Sequence, residues 1–322
     1  MQPLMSSNAP SFSALARLQQ VLTLWTLVCA VTWLVGWWPL SPVWALAGFF
    51  VVTLGYTIVL ALEFVLLSQI ARDDPAPQAT PGQLAGAWAR EVVMAFRVFA
   101  WRQPFRWRAM PDQLSGERVT GRHGVVLVHG FVCNRGFWNP WLRRLHAQDR
   151  AFVAVNLEPV FGSIDAYTPL VQEAVQRVHQ ATGLPPVLVC HSMGGLVARA
   201  WLRTQGDVPT VAHVVTLGSP HAGTWLARWS HFPNGRQMRQ NSAWIQALRQ
   251  DWTPAHAMRF TCWYSNCDNI VMPPSTATLP GADNRLLQRA AHVDLAFRPQ
   301  VFAHTQDLLE RLDQVVVSRR VP

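Results

Sequence analysis

The sequence predicts an α/β fold: a mostly parallel sheet covered on both faces by helices, preceded by an N-terminal helical hairpin built to cross a membrane. Three observations predict it. Two uncharged apolar runs, residues 21–38 and 43–62, stand near the start of the chain. From Gly124 onward, short apolar runs alternate with stretches of helical periodicity, as in a parallel sheet with crossover helices. Finally, the apolar run Val187-Leu188-Val189-Cys190 leads straight into His191-Ser192-Met193-Gly194-Gly195, a strand that turns sharply into a helix.

Residues 1–16 are small, polar and rich in Ser and Pro, a composition that predicts disorder. Residues 17–72 hold the two apolar runs. A helix of about 20 residues rises about 30 Å, the thickness of the hydrocarbon layer, where the backbone finds no hydrogen-bond partner outside the helix itself. Pro39-Leu40-Ser41-Pro42 separates the runs with a tight turn, and Trp37, Trp38 and Trp44 fall at the depth that indole rings favour. A cleaved signal peptide has a shorter apolar centre and a small-residue cleavage site; two buried core helices are the other alternative. Arg17 before the hairpin and Arg72 after it place both flanks on the cytoplasmic side. The expectation is a multi-pass protein of a bacterial inner membrane, with the C-terminal domain facing the cytoplasm.

The turn-forming stretch 73–82 reads as a linker. Residues 83–123 read as an amphipathic basic helix and connector, with Leu84, Trp88, Val92, Ala95 and Phe99 on one face. That face suits either the bilayer or the surface of the following domain. Domain 124–322 then alternates: strands at 125–128, 152–155, 186–190, 211–217 and 258–263, and helices capped near Thr168, beginning near Met193, and over 301–316. The segment 224–256 is a long insertion rich in Trp, Leu and Ile, in which Asn241 is placed to cap a helix bearing Trp244, Ile245, Leu248 and Trp252. It reads as a lid over an apolar cleft or as ordinary core packing.

The formal charge is +9, and every positive side chain is an arginine, since the chain contains no lysine. Between residues 83 and 122, seven arginines face three carboxylates, a patch suited to anionic lipid headgroups. No nucleic-acid motif interleaves with them, so nucleic acid is not expected as a partner. The five cysteines show no metal spacing; Cys262 and Cys267 are near enough in sequence to pair only in an oxidising compartment.

The strand–Ser192–glycine–helix junction has the form of a nucleophile elbow, in which a strained turn lifts a serine hydroxyl above the sheet edge. Cys190 stands where that motif has its first glycine, a departure that keeps the residue small. Val128-His129-Gly130-Phe131 ends the first strand of the domain, next to where an oxyanion would form, so the N–H groups of Phe131 and Met193 are the candidate donors. A base and the acid that orients it should follow the serine, acid first. Asp268, in Asn266-Cys267-Asp268-Asn269-Ile270-Val271, and His292, in Ala290-Ala291-His292-Val293-Asp294, obey that order on post-strand loops. Rival bases are His304, His191, His129 and His221; rival acids are Asp251, Asp283 and Asp294.

These motifs, with Thr216-Leu217-Gly218-Ser219-Pro220-His221-Ala222-Gly223-Thr224, resemble the bacterial lipases of the α/β-hydrolase superfamily from Gly124 to the C-terminus. The resemblance implies a triad of Ser192, Asp268 and His292, and a substrate site lined by His129, Gly130, His191, Pro220 and His221. It implies hydrolysis of lipid or other acyl esters without a cofactor. Thioesterase, amidase or acyltransferase chemistry, or a catalytically silent membrane-bound interaction module, are the alternatives that the same residues leave open. Some of these lipases hold calcium through an aspartate just after the histidine, the place of Asp294, but no second ligand is evident, and no metal is expected. Neither the natural ester nor the oligomeric state follows from the sequence.

Overall fold

The structure is a computed structural model describing residues 12–205 and 210–318. Expectations for residues 1–11 and 319–322 lie outside the described residues. Residues 12–16 do not continue a disordered segment: the Ser13 hydroxyl accepts the N–H of Ala16 and caps helix α1 (Ala14–Trp37), and Leu15 and Ala16 are buried.

After the 38–41 turn, α2 (Pro42–Leu54) starts on the Ser41 side-chain cap with Pro42 in the first turn, where its missing N–H costs nothing. The second apolar run is not one straight helix. It breaks at Gly55 and continues as α3 (Tyr56–Ile70), bent by 53°. Glycine, with no side chain to restrain the backbone, weakens a helix at its position, and Gly55 supplies no side-chain cap for α3. The Trp33 indole donates to the Trp44 carbonyl and ties α1 to α2. Helix α1 is long and apolar enough to cross a membrane, and the bent pair α2–α3 passes the same test as one broken span.

The linker does not hold the hairpin apart from the rest. Asp74 accepts the main-chain N–H of Ser275, and Ala76 is buried. Its last two residues belong to the next element, because Thr80 and Gln83 form a reciprocal capping box that starts α4 (Pro81–Ala95) at Pro81. Helix α4 runs on through a π-helical stretch, Phe96–Arg102. Its innermost ridge is Ala87, Glu91, Met94 and Val98, one position round from the expected apolar face, whose Leu84, Trp88, Val92, Ala95 and Phe99 are half-buried. Both surfaces of α4 are in use: one meets the sheet domain, and on the other Trp88 donates to the Thr57 carbonyl while Val92 accepts from Tyr56. Phe64, Leu67, Ala87, Cys267, Met272 and Ala291 form one apolar cluster, so α3, α4 and the sheet domain share a core.

The sheet has six parallel strands: β1 (Val125–Val128), β2 (Phe152–Ala154), β3 (Val187–His191), β4 (His213–Leu217), β5 (Phe260–Tyr264) and β6 (Asp283–Leu286), in spatial order β2-β1-β3-β4-β5-β6. Strand alternation divides the core. Val126, Val128, Leu188, Cys190, Val214 and Phe260 face helices Thr168–Thr182 and Met193–Leu202, whereas Val125, Leu127, Val187, Val189, Val215 and Leu217 face helices Asn139–Ala147 and Pro299–Ser318. Strand β6 was not expected. Its Asp-Asn-Arg-Leu composition has no apolar run, because an edge strand needs polar residues on its free side.

Within 224–256, Ser242 rather than Asn241 caps the helix Ala243–Gln250; Asn241 has φ 56° and forms the turn before it. Ile245 and Leu248 on that helix are buried in the main core, whereas Trp229 and Phe232 stay exposed. All five cysteines are free.

Candidate active site

The carboxyl ends of the parallel strands are where an open α/β sheet leaves a crevice, and the expected residues gather at those of β1, β3, β4, β5 and β6. Ser192 links β3 to the helix Met193–Leu202 with φ 54° and ψ −128°, backbone space that side-chain-bearing residues avoid at a cost of about 1–3 kcal/mol. The conformation is held by the Ser192 N–H, which donates to the Leu217 carbonyl at 2.9 Å. Met193, buried, is the first residue of the helix, so its N–H has no acceptor within it. Gly130 faces the serine so closely that a Cβ there would stand 2.7 Å from the Ser192 Cβ. The β1 loop with Phe131 therefore lies against the strained turn at Ser192.

Asp268 is buried after β5. Its Oδ1 accepts the N–H groups of Ile270 (3.0 Å) and Val271 (2.8 Å), and both oxygens lie 3.0 Å from His292 Nδ1. With Nδ1–H donated to the carboxylate, Nε2 of the neutral ring is left as the acceptor. Burial lowers the pKa of the His292 imidazole, but the Asp268 charge and hydrogen bond, with Glu91 and Glu63 adding to them, outweigh it and leave it raised. Gly218 (φ +56°) closes the space between β4 and this pair: a Cβ there would lie 2.8 Å from Asp268 Oδ2 and 3.3 Å from His292 Nδ1.

His191, beside Ser192, donates from Nε2 to the His292 carbonyl at 3.1 Å; its ring lies 4.6 Å from that of His292 and stacks on Phe137. Burial holds its pKa well below the usual range, so it is neutral. His129 is likewise buried, its Nε2 accepting from the Leu157 N–H and its Nδ1 donating to the Gly130 carbonyl, and burial lowers its pKa to about 4. The His221 ring is enclosed in the core between Thr216 Oγ1 (3.0 Å) and Cys262 Sγ (3.8 Å), and Pro220 beside it is buried. Of these three imidazoles, expected to line the substrate site, His129 spends both ring nitrogens on internal partners, whereas His191 and His221 engage Nε2 and bury Nδ1 with no hydrogen-bond partner among the described residues. The rivals for the base and the acid are engaged elsewhere: His304 packs on Trp263, Asp251 pairs with Arg203 and Asp283 with Arg285.

Asp294 Oδ2 receives Arg90 at 3.3 Å and Arg298 at 2.8 Å. Two guanidinium groups occupy the carboxylate that a calcium ion would need, and among the described residues no group of three His, Cys, Asp or Glu side chains gathers as a ligand set. The residues do not fit a calcium ion.

Three residues that the sequence did not single out bear on the pair: Glu91 and Glu63 from the N-terminal helices, and Asn269 from the Asp268 loop itself. Glu91 accepts the N–H groups of Val293 and Asp294, Asn269 Oδ1 accepts that of His292, and Glu63 accepts from Asn269 Nδ2. Burial pushes the Glu91 carboxyl up to about 7, against those two hydrogen bonds. The only sequence signal was a carboxylate interrupting an otherwise arginine-rich helix.

A row of rings, Phe131, Phe161 and Phe232, spaced 5.8 and 4.2 Å apart, runs outward from the β1 loop. Its middle ring, Phe161, also lines a cleft of about 650 Å³ between α1 (Ala14, Leu15, Leu18) and residues 158–162.

A sequence profile of the Alpha/beta hydrolase family matches residues 125–319, more than half of the chain. The chain belongs to the alpha/beta hydrolase family. The same fold recurs in a lipase of Aspergillus fumigatus, lipase B, at 16% identity and a TM-score of 0.55, over 94% of this chain and 83% of that one. It recurs also in mature lipase BlEst2 of Bacillus licheniformis, at 18% identity and a TM-score of 0.53, over 61% of this chain and 95% of that one. No curated protein matches the sequence.

Proposed function

We propose that this alpha/beta hydrolase is a membrane-anchored serine hydrolase that cleaves carboxylic esters of lipids or other acyl compounds through an acyl-enzyme. The observation that carries the reading is the pairing of His292 Nδ1 with both Asp268 oxygens at 3.0 Å, at the same end of the sheet as a serine held at φ 54°. In the proposed cycle the Ser192 oxygen bonds to the ester carbonyl carbon while His292 Nε2 takes the hydroxyl proton. The N–H groups of Phe131 and Met193 receive the resulting oxyanion, and such preorganised donors contribute about 3–4 kcal/mol each to the transition state. The intermediate collapses by breaking the bond to the alcohol, which leaves with the proton from His292. Water then repeats the sequence and frees the acid. No step calls for a cofactor or metal.

A lipidic substrate is supported by the apolar cleft beside α1, by the aromatic row leading to Phe131, and by the lipases that share the fold. Anchorage is supported by the exposed apolar side chains along α1, of whose most apolar window only 11% is buried. The arginines flanking the hairpin favour a cytoplasmic catalytic domain. Trp229 and Phe232, exposed on the 224–256 insertion, form the part of it that would meet lipid.

The test is hydrolysis of short-chain nitrophenyl esters by the full chain in detergent. Ser192→Ala should lower kcat by about ten-thousand-fold or more; activity that persists in that variant refutes the assignment.

A further inference from the structure

The helices N-terminal to the sheet reach directly into the loops that carry the acid and the base. Glu91 on α4 is only 2% exposed, and its two oxygens accept the N–H groups of Val293 (2.9 Å) and Asp294 (3.0 Å). These belong to the helical turn His292–Leu295, whose first N–H groups have no acceptor within the turn. Next to Glu91, Arg90 pairs with Asp294 at 3.3 Å and donates to the Arg289 carbonyl, so that one turn of α4 grips the chain on both sides of His292. From α3, Glu63 accepts from Asn269 Nδ2 at 2.6 Å, and Asn269 Oδ1 accepts the His292 N–H at 3.2 Å. Asn269 follows Asp268 directly, so this second chain of bonds ties the acid loop to the base loop. Three consecutive N–H groups, those of residues 292, 293 and 294, are thereby held by side chains that lead back to α3, through Asn269, and to α4.

Packing alone does not account for two carboxylates here. An apolar residue of similar size at either position would join the neighbouring cluster of Phe64, Leu67, Ala87 and Met272 without the desolvation cost of a buried charge. What the carboxylates add is direction: Glu91 is aimed at the main chain of that short turn, and Glu63 at the Asn269 amide that in turn holds the His292 N–H.

We propose that Glu91 on α4, and Glu63 on α3 acting through Asn269, are positioning residues that hold His292 in register with Ser192, so that α4 and the last helix of the hairpin are a working part of the active site and the hairpin is not a tether alone. The assignment rests on the triad of Ser192, Asp268 and His292 proposed for this chain. It predicts that the base loses its placement when these bonds are cut, although neither carboxylate touches substrate.

The experiment uses the full chain in detergent and compares Glu91→Gln, Glu63→Leu and Glu63→Gln with the unaltered protein. The Gln amide at 91 can accept only one of the two N–H groups, whereas Gln at 63 can still accept from Asn269. Three quantities are read: kcat and KM for a nitrophenyl ester, the rate of labelling by a fluorophosphonate, and turnover per labelled site. Glu91→Gln and Glu63→Leu should lower kcat and the labelling rate by roughly 10- to 100-fold with KM changed by less than about twofold, and Glu63→Gln should restore most of the loss. In Glu91→Gln the acid limb of kcat/KM should also move to lower pH, since a negative charge near the imidazole has gone. Turnover per labelled site equal to that of the unaltered chain, with the acid limb unmoved, overturns the proposal even if the variants are less stable. If the unaltered chain is not labelled at all, the triad reading fails and this assignment falls with it; if it is labelled and the variants behave alike, only the positioning role fails.

Discussion

His292 is flanked by three carboxylates, Asp268 in contact and Glu91 and Glu63 further off, and its pKa is raised by them above the ordinary imidazole value in spite of burial. A general base works only when neutral, so kcat/KM should climb with pH through that raised value, and the acid limb should lie above about 6.5. A pH-rate profile of the full chain checks this, and replacing Asp268 with Asn should both lower kcat and shift the limb downward. Gly218 offers a second residue-level test. Alanine there must adopt φ +56° and bring a methyl to 2.8 Å from Asp268 Oδ2, so Gly218→Ala should cost about 1–3 kcal/mol in stability and depress kcat together; thermal unfolding and ester assays read the two effects separately. At this scale the sequence was most legible where chemistry dictates order and spacing. Ser192, Asp268 and His292 stand out as candidates because a strand, a small-residue turn and two later loops constrain where they fall, and the structure pairs the last two. Glu91, Glu63 and Asn269 do not, because their partners are main-chain groups or amides about 200 residues away or across a loop, and a lone carboxylate carries no pattern.

Among the elements, the buried strands announced themselves by their Val and Leu runs, and the edge strand β6 did not, since its exposed side chains follow solubility rather than the sheet. The insertion 224–256 shows a similar limit. Its apolar residues are read alike from sequence whether they cover a cleft or fill a core, and only the structure separates Ile245 and Leu248, which are buried, from Trp229 and Phe232, which are not. That division has a measurable consequence. Leu248→Ala should destabilise the protein by about 2–5 kcal/mol through lost burial and a cavity, read by denaturant unfolding, whereas Trp229→Ser should leave stability within about 0.5 kcal/mol and act, if at all, on long-chain esters. The amphipathic helix expected from residue 83 starts at Pro81, and its buried ridge is rotated by one residue, because a helix packed on two sides has no single apolar stripe for periodicity to find.

For the whole molecule, the hairpin and the hydrolase sheet are joined more closely than a linker-separated anchor would be. Phe64 and Leu67 of α3 lie in one cluster with Cys267, Met272 and Ala291 of the sheet domain, while the apolar surface of α1 and α2 stays open. The account therefore expects the full chain to remain with membranes through an alkaline carbonate wash and to leave them in detergent; recovery in the wash supernatant would count against anchorage. It also expects a chain shortened to begin at Gln83 to lose turnover as well as membrane attachment, since Glu63 goes with the hairpin. All of this depends on residue 192 being an activated nucleophile. The most direct measurement is covalent labelling of the full chain with a fluorophosphonate, followed by peptide mapping. The account predicts one labelled site, the Ser192 hydroxyl, with labelling abolished in His292→Ala; an unlabelled protein, or label on a different serine, would contradict it.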